Sequence, residues 1–281
     1  STVKKINWSN IDLAFLSLPN GESQKLIKNI YYKYENIKFI DLSADFRITD
    51  PNKYRKNYKK KHKAKKLIKD SIYSIPEFVK KDIYKYRIIA NPGCYPTSIQ
   101  IPLMPLIKKN LINTNNLTID SKSGYSGAGR GVHKKYKSHN LYESISAYGV
   151  GFHRHNSEIE QELKKITKNK INFIFTPHLS PMFRGILSTI YVDSNKKIKI
   201  EKIINLLKKF YKNEMFVKIA KKNTLISTND VINTNNCLIS VAKTKYKNKI
   251  IILSAIDNLI KGGAGQAVQN LNNKFNFPEQ T

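Results

Sequence analysis

The stretch YRIIANPGCYPT, residues 86–97, packs a strand, a turn and the start of a helix into a dozen positions. Tyr86 to Ala90 is a short β-forming run, and Asn91-Pro92-Gly93 breaks it. Pro96 suits the first turn of a helix, where its missing N–H is no loss, and the helical pattern runs on to about Lys108. Working outward, Ile11 to Leu18 (IDLAFLSL) reads as a strand buried on both faces and ended by Pro19-Asn20-Gly21. Leu26, Ile27, Ile30 and Tyr31 then recur at helical spacing, and Ile37 to Ala44 (IKFIDLSA) forms a second strand. This order predicts an α/β protein whose first third is a parallel-sheet unit.

The second half has a different rhythm. LTIDSKSG (117–124), INFIFTPHL (171–179) and GILSTIYV (185–192) are strand candidates, and residues 237–257 suggest a hairpin turning near Lys247-Asn248. Helical patterns fall near 157–168 and 200–213, and a last one runs from Gly262 to about Asn273, where it could pack back on the first unit. The mixture points to an α+β domain inserted after the parallel unit. A nucleotide-binding α/β domain should open with a strand, a glycine-rich turn and a helix, whose amides hold phosphate. No such fingerprint precedes Ile11 and the chain does not start with Met, so a fragment lacking roughly 60 or more N-terminal residues is expected, at ~30 per βαβ unit.

Composition narrows the function classes. The chain has 281 residues, 40% of them hydrophobic, which is enough to bury a core of one large or two ordinary domains. No apolar run is long enough to span a membrane and no signal-peptide core opens the chain. Two cysteines make no disulfide framework and sit in no metal-ligand spacing, so a reduced, cytoplasmic protein is expected. The net charge of +30 invites a nucleic-acid partner. The excess is nearly all Lys, however, and travels with Asn, Ile and Tyr, all with A/T-rich codons. The dense run Lys59–Lys66 has no interleaved aromatics and reads as a solvated face, so no nucleic acid is expected.

Chemistry concentrates at Cys94. A thiol between a strand end and a helix start feels the positive end of the helix dipole, which favours thiolate, and nearby amides can hold an oxyanion. Cys237, at the start of a β run, reads as a buried structural cysteine. A thiolate needs a proton partner, and GFHRHNSEIE (151–160) supplies His153 and His155 just before a helix opened by a Ser157–Glu160 capping box. A histidine there is biased toward neutral imidazole. Arg154 offers a planar fork for phosphate or carboxylate. His62, His133, His139 and His178 have weaker contexts. Two Gly-rich stretches, SKSGYSGAGR (121–130) and DNLIKGGAGQ (257–266), have the small residues needed where backbone approaches a ligand.

Taken together, FLSLPNG (15–21), IDLSADFR (40–47), ANPGCYPT (90–97), SKSGYSGAGR (121–130), HRHNSEIEQEL (153–163), FTPHLSPMFRGIL (175–187) and AIDNLIKGGAGQAVQN (255–270) resemble the N-acetyl-γ-glutamyl-phosphate reductases, relatives of aspartate-semialdehyde dehydrogenase. The pieces run in order through nearly the whole chain. The resemblance implies a Rossmann-type NADP-binding domain, here 1–93 completed by a C-terminal helix at 258–281, and a glyceraldehyde-phosphate-dehydrogenase-like α+β catalytic domain at 94–257. It implies Cys94 as nucleophile and His153 as acid/base, with His155 the second choice. It places Leu18, Pro19, Ser43, Ser123, Gly124 and Asn258 near NADPH, makes Arg47, Arg154 and Arg184 candidates for gripping the substrate, and implies a homo-oligomer, a tetramer. Without the glycine turn, this chain as given is expected to bind NADPH poorly or not at all. The alternatives left open are another acyl phosphate (carrier-bound α-aminoadipyl or aspartyl), a decayed, inactive remnant, or a basic nucleic-acid-binding protein without catalysis.

Overall fold

The computed structural model describes residues 6–128, 143–195 and 198–281; Gly129, Arg130, His133 and His139 lie outside the described residues. The chain divides into two compact units, Ser1–Pro92 with Gln266–Thr281, and Gly93–Gly265. The first opens with β1 (Leu13–Leu16), α1 (Glu22–Ile30), β2 (Lys38–Asp41), α2 (Pro51–Tyr58), β3 (Ser71–Tyr73), α3 (Pro76–Val79) and β4 (Ile88–Ala90). Its strands are all parallel, in the order β1-β2-β4-β3. Alternation puts Phe39 and Ile88 in a core with Ile27 and Ile30 of α1, and Ile40 and Ile89 in a second core with Ile83. Burial on both faces is why β2 and β4 read as continuous apolar runs. The same expectation fails for β1, which ends the strand order among the described residues and leaves Phe15 46% exposed.

Asp45 organises the loops of this unit. Its carboxylate accepts from the Gly21 amide (2.8 and 2.9 Å), the Gln24 amide (3.1 Å) and the Tyr54 hydroxyl (2.6 Å). A buried carboxylate with this many donors caps α1 and ties α2 to it. Burial and the neighbouring Asp45 push the Tyr54 hydroxyl well up, so it stays a donor. The lysine run is solvated only in part. Lys59, Lys60, Lys61, Lys63, Lys65 and Lys66 are exposed, but His62 and Ala64 are buried between them. The His62 ring lies 2.7 Å from the Asp45 carbonyl oxygen and edge-on to Phe46 and Tyr54, and burial lowers its pKa.

Asp41, at the end of β2, is fully buried, and desolvation, with Asp45 nearby, raises its carboxyl to about 6. A folded-state pKa above the unfolded one means that the stabilising proton is present at low pH and lost as pH rises through about 6. Asp41→Asn is therefore expected to stabilise the protein by about 1–3 kcal/mol at pH 8 and by nothing at pH 4. Thermal melts at the two pH values check this, and equal gains at both would contradict it.

The second unit contains α4 (Cys94–Lys108), β5 (Leu117–Gly124), β6 (Ser146–Ala147), α5 (Asn156–Ile166), β7 (Phe173–Ser180), β8 (Ile186–Asp193), α6 (Ile200–Phe210), β9 (Val217–Ile219), β10 (Cys237–Lys243) and β11 (Lys249–Ile256). Among the described residues its seven strands run β6-β7-β5-β8-β11-β10-β9, with β5–β7 and β9–β10 parallel and the other pairs antiparallel. Along β5, Leu117, Ile119, Ser121 and Ser123 are buried while Thr118, Asp120 and Lys122 are half-exposed, the alternation of a sheet covered on one face. α4 packs on β8 and β11 and against α5 and α6. Two prolines, Pro102 and Pro105, lie inside it. Pro105 cannot donate to the Ile101 carbonyl, and the Tyr211 hydroxyl does so instead at 2.5 Å, which is how the helix tolerates the break. The hairpin turns at Asn248, in the left-handed region.

After a tight π-type turn at Ile260–Ala264, α7 (Gly265–Phe275) returns the chain to the first unit. Asn270 donates to the Ser74 carbonyl (3.2 Å) and to the Asn91 side chain (3.1 Å), Gln269 donates to Glu77 (3.1 Å), and Lys80 pairs with Glu279 (3.0 Å). Among the described residues no helix is long and apolar enough to cross a membrane.

Candidate active site

Cys94 is the first residue of the fifteen-residue α4, half-buried, with Gly93 as the N-cap. The Gly93 carbonyl accepts from the Thr97 amide and hydroxyl, both at 3.0 Å, which starts the helix firmly. A thiol in this position lies at the positive end of an α-helix, where thiolate is favoured. Two glycines make room around it. A Cβ on Gly93 would lie 2.5 Å from His155 Nε2, and a Cβ on Gly262 would lie 2.6 Å from Cys94 Cβ. No other residue fits either place without a shift, so the Gly-rich turn after β11 packs directly against Cys94. Cys237 is fully buried, with Sγ 3.5 Å from the Ser254 hydroxyl.

The histidine pair precedes α5, but the expected capping box does not form. His155 is the N-cap, Asn156 begins the helix, and Glu160 pairs with Lys164 instead. His153 is enclosed by aromatic rings, with Tyr148 at 5.4 Å, Phe175 at 5.5 Å, Tyr95 at 5.7 Å and His155 at 4.8 Å between centroids. That enclosure, followed by the Arg154 charge, lowers its pKa to about 4, so the ring is neutral at pH 7. The His155 amide donates to His153 Nδ1 at 3.2 Å. The hydrogen-bond pattern thus assigns the proton of the neutral ring to Nε2. Tyr95, next to Cys94, accepts from the Tyr148 hydroxyl (3.0 Å) and donates to the His178 carbonyl (3.3 Å). Burial first, then Tyr148, drives its own pKa far up and keeps it protonated.

Sequence reasoning passed over Glu158. It is 0% exposed in the first turn of α5, and its Oε2 accepts from the Gly93 amide at 3.1 Å. Its Oε1 lies 3.8 Å from His155 Nε2. An acid in a first turn is an ordinary sequence feature, and only the packing of α5 on α4 gives this one its place.

The arginines differ. Arg154 is exposed. Arg184 is half-buried, 2.7 Å from the Asn233 side chain and 3.4 Å from Asp257. Arg47 is buried and donates to the Asn91 and Leu42 carbonyls, both at 2.8 Å, across the ends of β4 and β2. Of the positions expected near a dinucleotide, Leu18 and Pro19 keep accessible surface beyond the end of β1. Ser43 is engaged with Asp41 (2.8 Å) and the Asp45 amide (3.1 Å). Asn258 accepts from the Gly185 amide (2.7 Å) and donates to Ser126 (3.0 Å). Ser123 donates to the Gly124 carbonyl (3.0 Å), and Gly124 faces the Phe183 backbone, where a Cβ would come within 2.5 Å. The carboxyl edge of a parallel sheet is where such a cofactor fits. The N-terminus of α1 is not its phosphate cradle, because Asp45 already takes those amides.

A half-buried thiol at a helix start, a neutral imidazole and a parallel-sheet unit are the features that the class of thiol-dependent dehydrogenases of activated acyl groups requires. Family models agree: "Semialdehyde dehydrogenase, dimerisation domain" matches residues 94–258, and "Semialdehyde dehydrogenase, NAD binding domain" matches residues 1–86. The fold resembles the crystal structure of aspartate semialdehyde dehydrogenase II from Vibrio cholerae, with a TM-score of 0.71 at 18% identity over 96% of this chain and 81% of that one. The chain is 44% identical over its whole length to 69% of the Arabidopsis thaliana protein titled "Probable N-acetyl-gamma-glutamyl-phosphate reductase, chloroplastic". Over 97% of its length it is 43% identical to 78% of the N-acetyl-gamma-glutamyl-phosphate reductase of Desulforamulus reducens. The chain belongs to the N-acetyl-γ-glutamyl-phosphate reductase family.

Proposed function

We propose that this protein reduces N-acetyl-L-glutamyl 5-phosphate to N-acetyl-L-glutamate 5-semialdehyde and phosphate, a step of arginine biosynthesis. The observation that carries the reading is the half-buried Cys94 thiol at the first residue of α4, in a chain of this family. The Cys94 thiolate attacks the acyl carbon, the carbon–oxygen bond to phosphate breaks, and a thioester remains on sulfur. NADPH, when bound, supplies the hydride that reduces the thioester carbon. His153, neutral with its proton on Nε2, donates a hydrogen bond to the oxygen as negative charge gathers there. Collapse breaks the carbon–sulfur bond, the oxygen becomes the aldehyde carbonyl, and the thiolate is restored. This refines the acid/base reading of His153: the geometry favours donor over base.

Leu18, Pro19 and Ser43 are the candidates of the first unit for the dinucleotide, and Ser123, Gly124 and Asn258 those of the second. Arg154 and Arg184 keep the role of gripping phosphate and carboxylate. Arg47 serves that end indirectly, by fixing the loops at Asn91 and Leu42. The matched dimerisation model supports a homo-oligomer, for which a tetramer is the proposed state, and the proposed compartment is the cytoplasm.

Phosphate-dependent reduction of NADP⁺ with N-acetylglutamate 5-semialdehyde tests the reading. Saturable turnover is expected, with aspartate 4-semialdehyde at least about 100-fold poorer in kcat/KM, the scale on which unpaired polar groups discriminate. A folded protein that binds NADPH and turns over neither substrate would overturn it.

A further inference from the structure

We propose that Asp257 is a positioning residue that fixes Arg184 and the turn beside Cys94 on one carboxylate. The inference rests on the reading of Cys94 as the nucleophile and Arg184 as a grip on the substrate's anionic groups, and adds the residue that sets both in place. Asp257 follows β11 directly, and it is 0% exposed. The antiparallel register pairs Ile186 at the start of β8 with Ile256 at the end of β11, which brings the residues just outside both strands to one corner of the sheet. There the two carboxylate oxygens divide their work. Oδ1 accepts from the Leu259 amide at 2.8 Å and the Ile260 amide at 3.2 Å, where the π-type turn Ile260–Ala264 opens. Oδ2 accepts from the Asn233 amide at 2.9 Å and lies 3.4 Å from Arg184 Nη1. The Asp257 carbonyl accepts from the Gly262 amide at 2.9 Å, and Gly262 is the residue packed against Cys94.

A carboxylate held out of water is costly unless donors and a counter-charge satisfy it. Capping a turn needs one acceptor oxygen, and the second oxygen here faces another loop and a cation. Arg184 is thereby held before any substrate arrives, its Nη1 also donating to the Asn233 side chain at 2.7 Å. Both contacts use Nη1, and a guanidinium carries five N–H donors, so the fork can still take a phosphate or a carboxylate. The next residue, Asn258, accepts from the Gly185 amide at 2.7 Å, so the backbone beside Arg184 is held at the same corner as its side chain. A side chain ordered in advance loses less entropy on binding, and a turn held in advance keeps the thiol in place.

Two variants separate the two arms. Asp257→Asn keeps an oxygen for the Leu259 and Ile260 amides but sets an NH₂ group where Asn233 and Arg184 need an acceptor; Asp257→Ala removes both supports. The measurements are kcat and the KM for phosphate and for the semialdehyde in the phosphate-dependent reaction, with thermal melts to establish folding. Beside them stands the rate of Cys94 alkylation by iodoacetamide without substrate, with Cys237 replaced by Ser. Asp257→Asn is expected to raise at least one of the two KM values about tenfold, with alkylation within about twofold of wild type. Asp257→Ala is expected to change alkylation about fivefold or more and to lower kcat on the order of 100-fold, because the turn beside the thiol loses its anchor. Arg184→Ala should raise the same KM as Asp257→Asn, and the double variant should cost little more than either alone, since both break one contact. Full additivity would overturn the proposal, as would wild-type KM values in Asp257→Asn beside raised ones in Arg184→Ala, or effects seen only together with unfolding. Unchanged KM values in Arg184→Ala would overturn the reading of Arg184 and the proposal with it. Absent turnover in the unaltered protein would sink the assigned reaction alone, and the alkylation contrast between the two Asp257 variants would still decide the proposal: equal rates overturn it.

Discussion

Cys94→Ala is expected to lower kcat/KM of the phosphate-dependent reaction by about 10,000-fold or more while the protein folds and melts as before. A covalent nucleophile cannot be bypassed by its neighbours, and removing one member of such a unit costs nearly as much as removing all of it. Truncating a half-buried thiol at a helix start leaves a small, partly solvated gap, so stability should move by less than about 1 kcal/mol. The matching control is Cys237→Ser, a fully buried thiol on β10, whose replacement touches stability and leaves turnover within a few-fold. Steady-state kinetics and thermal melts on both variants decide the matter. Retained turnover in Cys94→Ala would remove the thioester from the mechanism.

The second large effect is expected at a residue with no side chain. Gly262→Ala would place a methyl 2.6 Å from Cys94 Cβ, 3.1 Å from Cys94 Cα and 3.2 Å from Ile256. None of these is the far end of a flexible chain, so either α4 or the turn after β11 must move. Overpacking of this kind costs about 1–3 kcal/mol, and displacing a reacting atom by an ångström costs on the order of 100-fold in rate. Gly262→Ala should therefore lower kcat by about 100-fold or more and reduce stability in parallel. Slowed alkylation of Cys94 would report the displaced thiol independently of substrate. Full activity in Gly262→Ala would mean that the turn yields freely.

The sequence made the long elements readable and the short ones not. β5, β7, β8 and the β10–β11 hairpin carry clear alternation or long apolar runs, and each falls within two residues of its expected place. β3 and β9 have three residues each and β6 two, too few for any period to emerge. α2 buries only Tyr54 and so has no apolar stripe; its one signal was Asp50 followed by Pro51, a cap and a first-turn proline. The helix after the histidines was read, but its start was misjudged because Ser157 and Glu160 match a capping pattern that the structure fills with solvent-side pairing.

At the candidate site, the placement of Cys94 at a helix start was legible because strand end, glycine and helix start are local signals. Glu158 and Gly262 were not, because their roles are contacts with residues 65 and 168 positions away in the chain. The lysine run shows the same limit. Its charge was legible, but the burial of His62 against Asp45 depends on a loop that only the folded chain brings near.

The first unit is discontinuous, built from the first 92 residues and the last sixteen. Asn270, Gln269 and Glu279 supply bonds to Ser74, Asn91, Glu77 and Lys80 from the end of the chain. On the ribosome, the parallel sheet must therefore wait, unfinished, through synthesis of the whole second unit. Its closing helix emerges last, so the N-terminal segment spends the longest time exposed to chaperones and proteases although it is made first. A nascent chain stalled before residue 266 would carry a second unit with all its strands and a first unit without its final helix.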